Sequence, residues 1–272
     1  PCSSGTGNLY AYNLTFNLNS GSGVTPSDIS ADASETVIFP NIDGSLTPPT
    51  GCSSANKWNT NMNGTGTDYS PGTFNLISNI GTVSPNSQVT LYAKWSCTIS
   101  YANGGGSGSA PSSPTSANAG ATFTTPANTY TRSGYTFNGW SDGVSTYSAS
   151  ATYPSSGVLT SGVTLTATWK PDAPSTPDLD SSSDTGSSST DNKTNDSTPT
   201  FTGTAVTDST VQIKVNGVNS GSTCTASGGV YSCTIASQTD GTYTITATAT
   251  VSAVTSNASN SLSVTIDTAK PS

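Results

Sequence analysis

The sequence predicts an all-β chain of successive small modules, and three observations predict it. Serine and threonine account for 97 of the 272 residues, while only 8% are charged and 31% hydrophobic. Hydroxyl side chains and glycine offer the backbone competing hydrogen bonds or cost it entropy, which disfavours long helices. The apolar residues fall in short β-branched or aromatic runs bounded by Gly, Pro, Asn or Ser, the pattern of strands between turns. These runs also recur in order along the chain, as a repeat architecture requires.

Val89-Thr90-Leu91-Tyr92-Ala93-Lys94-Trp95 returns as Val163-Thr164-Leu165-Thr166-Ala167-Thr168-Trp169. Leu14-Thr15-Phe16 parallels Ile99-Ser100-Tyr101, each followed by a Gly-rich turn, and Thr36-Val37-Ile38-Phe39-Pro40 parallels Thr122-Phe123-Thr124-Thr125-Pro126. Trp58 answers to Trp140. Each unit, residues 1–96 and 97–170, therefore has an opening strand, a linking region, a strand carrying a Trp and a closing strand ending in Trp. In so hydroxyl-rich a background Trp58, Trp95, Trp140 and Trp169 are the largest apolar groups available, and they are expected to form the core.

From Pro171 the composition changes. Pro171, Pro174 and Pro177 fix their own φ and disfavour helix before them, giving a stiff extended linker. The third unit, residues 171–272, continues with an acidic run and then with strands at sandwich-like spacing: 200–205, 211–215, 243–247 and 262–266. Alternation in Val211-Gln212-Ile213-Lys214-Val215 puts three aliphatics on one face. An antiparallel β-sandwich is expected.

Five cysteines, at 2, 52, 97, 224 and 233, lack the CxxC pairs of zinc or thioredoxin chemistry. Cys224 and Cys233 flank a stretch centred on Gly228-Gly229, a pair that tolerates the positive φ of a two-residue hairpin turn. A disulfide between them, on adjacent antiparallel strands, is the reading. Cys2, Cys52 and Cys97 leave one partner short, so one thiol is free or pairs outside this chain. Disulfides imply an oxidising, extracellular compartment.

The absence of histidine removes every triad, dyad or metal site that needs an imidazole. A net charge of −8 would repel a nucleic-acid backbone. No stretch approaches the roughly 20 apolar residues of a membrane span, and no apolar leader opens the chain, so it reads as a processed or excised piece of a larger protein. No pair of carboxylates stands in a catalytic context, and an enzyme is not expected. Asp178, Asp180, Asp184 and Asp191 are the candidate metal ligands, because Ca²⁺ takes six to eight oxygens from carboxylates, carbonyls and water. The same run reads alternatively as a solvated acidic linker. Lys57, Lys94 and Lys214 on strands, with Glu35 or an Asp as catalyst, leave open an intramolecular isopeptide bond.

Arg132-Ser133-Gly134-Tyr135-Thr136-Phe137-Asn138-Gly139-Trp140 followed by Val163 to Trp169 resembles the Listeria-Bacteroides repeat, the internalin B-repeat family of bacterial surface proteins. The first unit keeps Trp58-Asn59-Thr60, Tyr69 and Pro71-Gly72 but has Gly51-Cys52-Ser53-Ser54 where the Gly-Tyr-x-Phe lead is usual. Thr198-Pro199-Thr200-Phe201-Thr202-Gly203-Thr204, Asp240 to Ala247 and Leu262 to Thr268 resemble the bacterial Ig-like domains of giant surface adhesins. The resemblance implies two small β-grasp-like repeats and one Ig-like β-sandwich, arranged as an elongated chain of modules. It further implies a bacterial cell-surface stalk that spaces an adhesin's binding tip from the cell, with calcium at an acidic junction as structural ion. Two alternatives stand beside it: a self-assembling filament subunit contacting copies of itself, and an adhesin module for host glycan or protein, with Tyr10, Tyr12 and Tyr153 as a candidate aromatic face.

Overall fold

The structure, a computed structural model, describes residues 11–32, 34–80, 87–185 and 188–269. It divides into two compact units: a repeat body (residues to 104, 108–130 and 139–168) and a sandwich unit (105–107, 131–138 and 169 onward). Strands dominate both, and the described residues include one short 3-10 turn, Ile77–Asn79.

The repeat body opens with β1 (Ala11–Asn17), β2 (Ser22–Gly23), β3 (Ile29–Asp32), β4 (Thr36–Ile38), β5 (Leu46–Thr47), β6 (Cys52–Asn59), β7 (Asp68–Tyr69) and β8 (Phe74–Leu76). A 15-residue strand, β9 (Gln88–Ala102), follows, then β10 (Ser116–Asn118), β11 (Phe123–Thr124), β12 (Tyr135–Ser141), β13 (Thr146–Tyr147), β14 (Thr152–Tyr153) and β15 (Val163–Pro171), of which residues 135–138 and 169–171 are counted with the sandwich unit. One sheet runs β13-β12-β15-β9-β1-β3, with β6 and β10 also on β9. The division drawn from sequence at 96/97 falls inside β9: its first half closes one repeat and its second half opens the next.

The internal repeat is legible in the register. β1 pairs with β9 in parallel, Leu14 opposite Val89, and β9 pairs with β15 in parallel, Ile99 opposite Val163. Trp58 faces Tyr69 across β6 and β7 as Trp140 faces Tyr147 across β12 and β13. Both indoles donate Nε1–H to a proline carbonyl at 2.9 Å, Trp58 to Pro40 and Trp140 to Pro126. Phe16 lies 4.8 Å from Trp58, and its counterpart Tyr101 lies 5.1 Å from Trp140. The odd lead of the first repeat has a local answer. β6 pairs with β9 from Cys52 opposite Cys97 to Ser54 opposite Trp95, bulges, and resumes at Trp58 opposite Ala93. Asn56, in the bulge, takes the left-handed φ of 47° that asparagine tolerates better than most residues.

All four tryptophans are buried. Trp95 donates to the Leu18 carbonyl at 2.7 Å, and a Cβ on Gly21 would lie 2.7 Å from its ring, so glycine is what lets that turn close over the indole. Asn19, also buried, donates through its amide to the carbonyls of Met62, Ala93 and Ala119. It thereby ties three segments together at one buried point. Nothing in its sequence context announced that role.

The sandwich unit comprises β16 (Asp178–Leu179), β17 (Lys193–Thr194), β18 (Thr200–Thr204), β19 (Thr210–Val215), β20 (Val218–Asn219), β21 (Cys224–Thr225), β22 (Val230–Thr234), β23 (Gly241–Val251), β24 (Val254–Thr255) and β25 (Leu262–Ile266). One sheet is β16-β18-β22; the other is β17-β25-β23-β19-β20, with β21 on β19 and β24 on β23. Val211, Ile213 and Val215 point inward against Phe201, Tyr231, Ile245 and Val264. Two features differ from the sequence reading. The acidic stretch contributes two strands, β16 and β17, anchored by buried Leu179 and Thr194, so part of it belongs to the sandwich rather than to a linker. And β17 pairs with β25 in parallel, so the sandwich is not wholly antiparallel.

Candidate functional site

The acidic segment is stitched down by its own side chains. Asp180 Oδ1 accepts from the Ser182 hydroxyl (2.6 Å) and amide (2.9 Å), bonds that hold its carboxyl below the usual range. Thr198 N–H and hydroxyl donate to Asp196 Oδ1, and Thr185 Oγ1 donates to Asn195 Oδ1. These are the local bonds by which Asp, Ser and Thr build turns. Buried Ser183 donates to Asp196 Oδ2 at 3.2 Å and accepts from Thr200 N–H at 3.1 Å, which pins the segment to β18.

Asp178, Asp180 and Asp184, with Ser189, Thr190, Asn192 and Thr202, line one hollow of 320 Å³. Asp191 is not among its lining residues; it is half-buried, and its Oδ1 accepts from the Lys193 amide at 3.2 Å. Asp178 is exposed on β16. Asp184 is 6% exposed, and its Oδ1 is buried without a hydrogen-bond partner. A buried carboxylate oxygen left unpaired is costly and calls for a water or a cation. Among the described residues no three His, Cys, Asp or Glu side chains close around a common point. A cation here would therefore take Asp184 Oδ1 as anchor and draw further oxygens from backbone and water, which calcium's flexible coordination permits.

Other sequence candidates resolve differently. Tyr12 and Tyr153 are buried, Tyr12 alternating inward with Leu14 and Phe16 on β1 and Tyr153 packed on Phe123 and Tyr147. They form no exposed aromatic face, and Tyr10 lies outside the described residues, as does Cys2. Lys94 pairs with Asp68 at 2.9 Å on a partly exposed surface. Burial pushes the Asp68 carboxyl up, but the Lys94 ammonium and the Asn59 amide outweigh it and hold the group below its ordinary value. Isopeptide formation needs the opposite, a neutral amine beside a protonated acid in an apolar pocket. Lys57 donates to the Ser70 hydroxyl, and Glu35 accepts the Asp32 amide in an exposed turn. A second hollow, of 510 Å³, lies beside Asp142 in the repeat body. There the carboxylate accepts from Ser145 and Val144 amides and the Tyr147 hydroxyl, fastening a turn.

Cys224 is bonded to Cys233, and Cys52 to Cys97. The turn between the first pair is as expected: Ser227 bridges Val230 around Gly228 and Gly229, whose φ values are 59° and 85°. The flanking strands then part, β21 joining β19 and β22 joining β18. The bridge therefore ties the two sheets together instead of two neighbours within one. Each strand finds a longer partner elsewhere, Thr210–Val215 or Thr200–Thr204, which wins over the short hairpin.

Two kinds of small β domain follow one another along the sequence. Residues 98–168 match the Listeria-Bacteroides repeat domain, and residues 170–268 match the bacterial Ig-like domain. The match to the first covers the second repeat; residues 11–96 share its register and its tryptophan anchor. These domain types point to a surface-associated protein, with which the two disulfides agree. No curated protein matches the chain. No helix among the described residues is long and apolar enough to cross a membrane.

Proposed function

We propose that the chain is a stalk segment of a bacterial cell-surface adhesin, holding a binding tip away from the cell. The observation that carries this reading is seriality: one repeat hands its closing strand directly to the next as an opening strand, and an Ig-like domain follows. Such units add reach without a catalytic centre. Small-angle scattering of the purified chain tests it. A compact body of 272 residues has a radius of gyration of about 19 Å. A stalk gives a value well above that, and a value near it sinks the reading. The filament alternative is favoured by one feature, the exposed pair Ile38 and Phe74 facing each other across β4 and β8. In the same experiment it predicts a scattering mass that rises with concentration.

Calcium belongs to this proposal as a structural ion anchored by Asp184. At a free concentration of 100 times its dissociation constant, one bound ion stabilises the sandwich unit by about 2.7 kcal/mol. Calorimetry should show the sandwich transition rising in Ca²⁺ relative to EDTA, with the rise lost in Asp184→Asn. No shift in the unaltered protein removes calcium from the account.

A further inference from the structure

We infer that β9 is a strut that carries tension, held by two shear ladders in series and fitted with a covalent stop. The inference deepens the stalk reading, on which its biological use rests, but its mechanics belong to the repeat body alone.

The topology sets the direction of load. Tension along the chain pulls β1 from its N-terminal side and β9 from its C-terminal side. These strands are parallel neighbours, Asn13–Asn17 against Gln88–Tyr92. Pulling opposite ends of a parallel pair slides the strands along each other, so every hydrogen bond of the ladder resists at once. Pulling the same ends would peel the bonds apart one by one. The geometry then repeats: the second half of β9, Ile99–Ala102, lies parallel to Val163–Thr166 of β15. Force thus passes from β1 to β9 to β15 through two sheared ladders. Residues 18–87 and 103–162 carry none of it while the ladders hold.

The cystine stands between the ladders. Cys97 is on β9, after the first ladder and before the second, and Cys52 lies in the segment that the first ladder shields. If the first ladder slips, the chain lengthens only from Asn17 to Cys52. Load then crosses the sulfur bridge to Cys97 and reaches the second ladder, leaving residues 53–96 unextended. With a sequence separation of 45, the bridge withholds about 160 Å of chain at about 3.6 Å per residue. The loss of the first ladder is thus capped at less than half its full extension.

Single-molecule force spectroscopy decides the matter, because rupture under load reports the barrier along the pulled direction. The full chain, with Cys2→Ser to avoid cross-links, is held between handles at its two ends. In a second preparation the C-terminal handle is moved to exposed Gln88, at the same end of the β1–β9 ladder as the N-terminus. The ladder should part at a force at least two-fold higher in the end-to-end geometry than in the Gln88 geometry. Equal forces overturn the clamp, and this comparison leaves the folded ladder unaltered. The first extension step should lengthen by about 160 Å when Cys52 and Cys97 are both replaced by serine. The same step in both proteins overturns the stop. A scattering result that removed the stalk reading would leave these forces and steps as they are.

Discussion

Trp140→Ala is expected to cost the repeat body about 3–5 kcal/mol, the range for truncating a fully buried large aromatic. The indole is wholly inaccessible, with Tyr101 at 5.1 Å and Tyr130 at 6.2 Å, and its Nε1 bonds to the Pro126 carbonyl. Alanine leaves a cavity among side chains fixed by their own hydrogen bonds: Tyr130 donates to the Tyr101 carbonyl, and Tyr101 to the Pro114 carbonyl. Those bonds limit collapse into the void. Since small domains hold about 5–15 kcal/mol in all, a large share of the margin would go. Trp140→Phe separates the contributions, keeping a ring in place while leaving the Pro126 carbonyl unpaired, at a cost of about 1–3 kcal/mol. Urea denaturation followed by circular dichroism would show the repeat-body transition moving and the sandwich transition staying. Trp58→Ala should behave alike, since its anchor to Pro40 repeats the arrangement. A small effect at Trp58 beside a large one at Trp140 would mean that the two repeats share a register but not an energetic design.

That equivalence also marks what the sequence makes legible. The repeat could be read because each unit spends its few large apolar residues at the same points: Leu14 and Ile99, Val89 and Val163, Trp58 and Trp140. Period-two alternation likewise exposed the inward face of Val211, Ile213 and Val215. The continuity of β9 could not be read, because a strand serving two repeats looks the same as two strands end to end. Nor could the short strands of the acidic stretch. Two-residue strands carry no period, and only their partners on β18 and β25 define them. In the candidate site, composition located the carboxylates but not their division of labour. Asp180 and Asp191 are occupied with turn amides while Asp184 Oδ1 is buried and unpaired, a distinction set by backbone path. Asn19 was invisible for the same reason, its three acceptors coming from distant segments.

Opening the two disulfides should destabilise the units unequally, and in the order of the loops they close. In the chain-entropy account a bridge restricts the unfolded chain by an amount that grows with the logarithm of loop length. For the separation of 45 between Cys52 and Cys97 the expected loss is about 4 kcal/mol, and for the separation of 9 between Cys224 and Cys233 about 2.6 kcal/mol. Thermal unfolding with and without dithiothreitol, with the two units resolved as separate transitions, checks the order: the repeat body should fall further. Position leaves that order in place for the second bridge. Cys233 is 2% exposed within the sandwich core, and its bond to Cys224 joins β22 of one sheet to β21 of the other. Releasing it leaves both thiols packed where they were, because β21 and β22 are each held by a longer partner. Reduction should therefore cost little beyond the entropic share. A larger fall in the sandwich transition than in the repeat body would show that the cross-sheet tie, and not the length of the closed loop, sets what this bridge contributes.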